Sequence, residues 1–427
     1  MSYDLDLPER SPKALRNASI IVIAGVLATT LAQPQQLAVI PLRNLLKNEL
    51  HIGRTMSASF LFWVGFAWYI KPLIGLLSDA FPLFGTRRRS YMLIGAIFAT
   101  TCWIALAFAP HTYGALLTGC MGLSLFMVIS STAMGGYMVE QAQLLSGAGR
   151  LTAVRNFVQQ VSYISLGLLG GYLAAVAFHW TAYACAAVMA TLIPVTLLYM
   201  KEKPVRVDRG ALLSNAREKL VNIGHAKNLW AACGLVLLFY FAPGISTAQF
   251  YRQQNEMHMT TQMQGLVTTL YGVGGVVASI IYGLVCRRIR LMHLLWFCLS
   301  ASTLSAIVYV WYNSFHIALF MDTANGIGYT LAELVLMDLC VRSSPIGSEG
   351  LAFALLMSVR NFTLFGADIM GAHLMDRYHF TWNTMVIANA VTSAIAIPCA
   401  FLLPRIVTRS RDAEPLPEPA APRTSPE

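Results

Sequence analysis

Lys71 stands inside an apolar, aromatic run, residues 63–81 (WVGFAWYIKPLIGLLSDAF), beside Pro72. An ammonium at that depth in hydrocarbon is costly unless it faces protein or water. Lysine is a mobile point charge, which suits an anionic ligand; the alternative is an ion pair with an acid on a neighbouring helix. Arg360 falls inside another apolar run, with Asp368 two turns on. Its guanidinium suits a carboxylate on two nitrogens, or it pairs with Asp368. Asp322, Asn325, Tyr329 and Glu333 recur at three- and four-residue spacing, so they share one helix face. Asn325 on that face is a candidate ligand contact. Glu333 is central and is the first candidate for a proton carrier, because burial favours the neutral carboxyl. A pair with Lys71 or Arg360 is its structural alternative. Asp322 and Asp368 are the other candidates for proton coupling. Asp338 lies nearer the helix end and reads as gating or solvated.

Uncharged candidates complete the set. Gln33-Pro34-Gln35-Gln36 interrupts an apolar run. Proline removes a backbone hydrogen bond and invites a bend, while Gln33 and Gln36 offer donors and acceptors to a heteroaromatic edge. A kinked packing helix reads equally well. Trp63, Phe66 and Tyr69 suit a flat ring, or anchor at a bilayer interface. Gln159 follows Arg155 by one turn and is a further ligand candidate. The eight cysteines lie in or beside apolar runs without metal spacing. No phosphate loop, dinucleotide-binding glycine pattern or zinc-protease motif is present. The expectation is no metal, no cofactor and no enzymatic activity.

The elements that must position these groups follow from composition. The chain has 427 residues, 56% hydrophobic and 12% charged, with a net charge of +10. Soluble proteins carry about 25% charged residues, so this reads as an all-α membrane protein. The positive charge occurs as short clusters between apolar runs, which fits membrane topology and anionic lipid rather than nucleic acid. Twelve apolar segments approach the roughly 20 residues of a spanning helix. They fall near 17–41, 56–80, 91–109, 113–139, 152–178, 180–200, 229–251, 263–286, 291–312, 315–341, 350–375 and 381–403. The expected organisation is an N-terminal segment 1–16, a six-helix bundle 17–200, a central loop 201–228, a second bundle 229–403 and a disordered tail 404–427. With the N-terminus inside, only Arg43, Lys47, Arg54, Arg252 and Arg377 fall in outer loops. That bias puts both termini in the cytoplasm.

The halves also echo each other. Val154-Arg155-Asn156-Phe157 opens the fifth segment, and Val359-Arg360-Asn361-Phe362 lies in the eleventh. Two parallel six-helix repeats are the layout of the major facilitator fold, with a substrate site between the halves. Gly75-x-x-Ser78-Asp79 followed by Gly85-x-Arg87-Arg88-Arg89 resembles that superfamily's loop between helices 2 and 3. The longer form seen here, with Lys71-Pro72 upstream, resembles the folate–biopterin transporter family. Phe241-Ala242-Pro243, Phe250-Tyr251, the stretch 345–361 and Leu402-Leu403-Pro404 resemble that family too. One departure lies in helix 4, where Ser131 to Met138 carries no acid ahead of Val139-Glu140.

The resemblance implies a secondary transporter of folate, a pterin or a similar heteroaromatic anion. Alternating access is expected, with proton symport as the favoured coupling; the brief outer loops suit a bacterial inner membrane, and a lipid-embedded monomer is expected. The resemblance implies a gating role for Asp79 with the cytoplasmic arginines Arg87, Arg88 and Arg89, and Glu140 and Asp338 are further gating candidates by position. The rivals are a facilitator carrier for an unrelated solute and a non-transporting assembly factor on the same fold.

Overall fold

Proline and glycine decide where the long apolar segments break. The computed structural model describes residues 12–86, 88–144, 148–202, 209–286, 288–345 and 349–404. Segment one is two helices, α1 (Pro12–Leu31) and α2 (Val39–Asn44), interrupted at Gln33-Pro34-Gln35-Gln36. Segment two is three: α3 (Arg54–Val64), α4 (Phe66–Tyr69) and α5 (Lys71–Ala80). Then come α6 (Arg89–Phe108), α7 (Tyr113–Leu144) and α8 (Ala148–Leu173). Segment six is α9 (Phe178–Ala190) with α10 (Leu192–Tyr199). The central connection contains a helix, α11 (Arg209–His225), where a loop was expected. Segment seven divides into α12 (Lys227–Tyr240) and α13 (Ser246–Asn255). The rest are α14 (Thr261–Val285), α15 (Leu291–Ile307) with a 3₁₀ turn Val308–Trp311, α16 (Phe315–Ser343), α17 (Glu349–Arg377) and α18 (Trp382–Cys399).

Among the described residues, eight helices are long and apolar enough to cross a membrane. Segments one, two and seven, expected as single helices, are interrupted instead. Each interruption frees backbone groups that must be satisfied within protein. The Gln35 amide donates to Leu61 O (2.7 Å), and the Tyr69 hydroxyl donates to Phe62 O (2.8 Å). Gly65 sits under both side chains, where any Cβ would collide with them. In segment seven, Gly244 N–H donates to Ala367 O (2.8 Å), and Asn389 donates to Pro243 O (2.9 Å). The first helix of each half is therefore broken at a proline.

Each half has its own core. One gathers around Trp103, Phe60, Met92 and Leu46; the other around Leu295, Leu299, Val335 and Leu339. Two seams join the halves: α8 against α14, and α3 to α5 against α17. The first seam closes on glycines. A Cβ on Gly265 would enter the backbone of Gly167 and Gly171, and one on Gly167 would meet Gly265 and Thr269. Small residues let helix backbones approach in this way. Gly265→Val is therefore expected to separate the seam and lower stability by about 1–3 kcal/mol, read as an earlier thermal unfolding transition in detergent.

Candidate functional site

Lys71 opens α5 at the second break of segment two. Its Nζ lies 3.3 Å from Ser131 Oγ on α7 and 5.0 Å from the Trp68 ring centroid. It makes no ion pair among the described residues, yet it feels the charge of Arg155 on α8.

Across the seam, Arg360 on α17 donates to Glu333 Oε1 on α16. It also donates to Tyr240 Oη (3.2 Å) and Asn361 Oδ1 (3.0 Å), with its guanidinium 5.2 Å from the Tyr240 ring centroid. Tyr329 sits between Tyr240 and Tyr271, at 6.2 and 6.4 Å between centroids. A small pocket opens here, lined by Tyr240, Glu333, Met337, Met357 and Arg360. On the facing half, Gln159 donates to Tyr163 Oη (3.0 Å). Tyr163 lies within electrostatic range of Arg155 on its own side and of Glu333 and Arg360 opposite. The centre thus brings together Lys71, Arg155, Gln159, Tyr163, Tyr240, Tyr329, Glu333 and Arg360. Its described charges are three cations and one carboxylate, with tyrosine rings between them.

Other expected residues are elsewhere. Asp368 does not pair with Arg360, which lies two turns away on α17. It accepts from Thr247 N (3.0 Å) and Thr247 Oγ1 (2.5 Å), and Arg43 Nη2 is 3.9 Å away. Asp322 is buried and accepts from Tyr309 Oη (2.7 Å), Tyr312 Oη (2.7 Å) and Gln249 Nε2 (3.0 Å). Asn325 accepts from Ser305 on α15 (3.1 Å). The polar face of α16 therefore divides in two: Asp322 and Asn325 meet segment nine and α13, whereas Tyr329 and Glu333 meet the tyrosines and Arg360 of the centre. Gln33 donates to Thr29 O (2.6 Å), a local bond within its own segment, and Gln36 is half-buried at the break. Trp63 is 47% exposed and packs on Phe62 and Phe66 at the molecule's surface. Of the three aromatic candidates, Tyr69 alone turns inward, against Phe362.

The expected gating residues lie at the end of the molecule near the central connection. The Arg88 and Arg89 N–H groups donate to the Glu202 carboxylate at 2.9–3.2 Å, an acid at the N-terminus of α6. The Arg88 guanidinium lies over Gly136, in the helix 4 stretch that lacks acids. Asp338 is held by Arg342 (2.7 and 2.8 Å) and Tyr282 (2.9 Å). Arg87 and the side chains of Asp79 and Glu140 lie outside the described residues.

The opposite, distal end carries a set of contacts between halves that spacing alone did not show. Arg43 Nη2 donates to Ser246 Oγ (3.0 Å) and Thr247 Oγ1 (3.2 Å), and Lys47 donates to Gln254 (2.8 Å). Arg54 pairs with Asp376 (2.8 Å), and Tyr251 donates to Ile52 O. The only signal in the sequence was that these cations stand on the side otherwise poor in them.

The model of the BT1 family matches residues 34–417. A folate-biopterin transporter from Synechocystis sp. is 24% identical over 385 residues, covering 84% of this chain and 76% of that protein. Folate transporter 2 of Plasmodium falciparum is 21% identical over 394 residues, covering 88% and 85%. Among solved structures, a nucleoside transporter superposes with a TM-score of 0.68 at 11% identity, covering 92% of this chain and 99% of that one. A D-xylose–proton symporter gives 0.64 at 11%, covering 92% and 97%. Both place the chain in the major facilitator fold. The chain belongs to the BT1 family, and it is a multi-pass membrane transporter rather than an enzyme.

Proposed function

We propose that the chain carries folate, a pterin or a similar heteroaromatic anion across a cell membrane. The two halves would rock about the central cluster in alternating access, with protons as the coupling ion. The observation that carries this reading is Lys71. It is a cation at membrane depth with no acid against it among the described residues, close to Arg155 and over the Trp68 ring. An anion with a flat ring satisfies both features, since its charge meets the cations and its ring packs on aromatic side chains. The printed names of the relatives point to the same ligand class. The charge bias places both termini in the cytoplasm of, on this reading, a bacterial inner membrane. A monomer suffices, because both halves of the site come from one chain.

Uptake of labelled folate into vesicles holding the purified protein tests the reading. Concentrative uptake is expected when an inward proton gradient is imposed, and only equilibration without it. No accumulation of folate or any pterin would remove the substrate assignment. A second reading, carriage of an unrelated small solute, is favoured by helix 4, where Gly136 leaves room for the Arg88 guanidinium. Uptake of another solute that folate does not inhibit would select it.

A further inference from the structure

Asp322 is a buried carboxylate that touches no cation among the described residues. Its three donors come from two elements. Tyr309 and Tyr312 lie at the end of segment nine, and Gln249 belongs to the half-helix α13. Tyr312 Oη in turn accepts from Gln249 (3.0 Å) and Gln253 (2.6 Å) while donating to Asp322. One face of α13 is therefore bound to this carboxylate, directly and through Tyr312.

The opposite face of α13 binds the other half of the protein. Ser246, Thr247 and Gln254 accept from Arg43 and Lys47, and Tyr251 donates to Ile52 O. Residues 247 and 249, like 251 and 253, are about 200° apart around a helix, so Thr247, Tyr251 and Gln254 lie on a different side from Gln249 and Gln253, with Ser246, in the first turn, reaching Arg43 from the Gln249 side. The break at Phe241–Ile245 separates α13 from α12 and gives it a hinge.

We propose that Asp322 is the proton-binding carboxylate of the transport cycle, and that α13 is the lever linking its protonation to opening of the distal end. Ionised, Asp322 holds Gln249 and Tyr312 by charge-assisted hydrogen bonds, roughly twice as strong as neutral ones. The lever then stays against the second half and the distal contacts stay closed. A proton arriving on a carboxylate oxygen removes the charge, the grip on α13 weakens, and the distal seam is free to part. The surrounding groups leave this role to Asp322. From α14 it is faced by Tyr271, and from segment nine by Tyr309 and Tyr312. Arg252 of α13 is turned to Tyr312 O (3.1 Å) and neutralised by Glu256 (2.6 Å). On α17, Arg360 is held by Glu333, and Asp368 by Thr247 and Arg43. Glu333, about 16 Å along α16, is instead paired with the Arg360 guanidinium.

The test reads the distal seam and needs no solute. Ala174 is 7% exposed and packs between the halves with Ile40, Phe250 and Tyr251. A cysteine there, Ala174→Cys, is labelled with a membrane-impermeant maleimide in vesicles, against the rate set by the native cysteines. In otherwise unchanged protein the labelling rate is expected to rise roughly ten-fold from mildly alkaline to mildly acid buffer. With Asp322→Asn added, it is expected to be fast and independent of pH. Tyr312→Phe, which removes one donor to the carboxylate, is expected to move the transition about one unit to higher pH. It also keeps the test decisive if Asp322→Asn is not recovered folded. An Asp322→Asn protein whose labelling still rises with acid, or a Tyr312→Phe protein with an unmoved transition, overturns the proposal. The proposal rests on reading the chain as a proton-coupled carrier, and the two fail separately. Loss of folate uptake alone leaves the labelling result standing, and the converse also holds.

Discussion

Lys71→Gln is expected to abolish most folate uptake while leaving the protein folded and no less stable. Among the described residues the lysine is held by Ser131 Oγ and the Trp68 ring, and none of their acids is stranded when it goes. Removing it therefore relieves a desolvated charge instead of exposing one. For the anion, one charge-assisted contact is worth about 1.5–3 kcal/mol, which is roughly a 10- to 150-fold weaker Kd. Lys71→Arg is expected to recover part of the loss, because the charge returns with a different reach. The measurement is a folate saturation curve in vesicles beside a thermal melt in detergent. Unchanged uptake by Lys71→Gln would remove the cation from the site. A collapse in stability would show instead that the lysine is structural.

Arg360→Gln is expected to behave in the opposite way, losing stability and uptake together. Arg360 and Glu333 form a direct pair, with side-chain exposures of 17% and 27%. Removing one partner of a buried pair costs about 3–5 kcal/mol, because the other charge is left uncompensated. Partial exposure places this pair at or below the low end of that range. Glu333→Gln should destabilise less, since Arg360 keeps Tyr240 and Asn361 as neighbours. The double variant should be more stable than the sum of the two losses, which is the signature of a coupled pair. Thermal unfolding of the four proteins reads the cycle. Additive losses would mean that the pair contributes nothing as a pair. Arg360→Lys is expected to fold but carry less folate, since an ammonium cannot hold Glu333, Tyr240 and Asn361 in one plane.

The contrast between these residues marks how far the sequence reached. Both Lys71 and Arg360 were visible as cations in apolar runs, because hydropathy and charge are properties of single positions. Which of them had an acid against it was not visible. Glu333 lies 27 residues from Arg360 and meets it only because α16 packs beside α17. The shared face of Asp322, Asn325, Tyr329 and Glu333 was correctly periodic, yet its first two residues meet segment nine and α13 and its last two meet the central tyrosines and α17. Periodicity fixes which residues point the same way along a helix. It does not fix what stands opposite each one.

The sequence by itself determined the class of molecule, the apolar segments, the cations at depth and the family. All but the family, which rests on motif resemblance, follow from local composition, because the bilayer acts on every segment separately and demands apolar length and internal hydrogen bonds. Tertiary structure alone decided that segment seven divides at Phe241–Ile245, that Asp368 answers to Arg43 and Thr247, and that α13 lies between Asp322 and the distal contacts. Those relations join residues up to 325 positions apart (Arg43 to Asp368). They arise from the shape of the packed halves, in which a buried polar group takes whichever partner the neighbouring helix brings within reach.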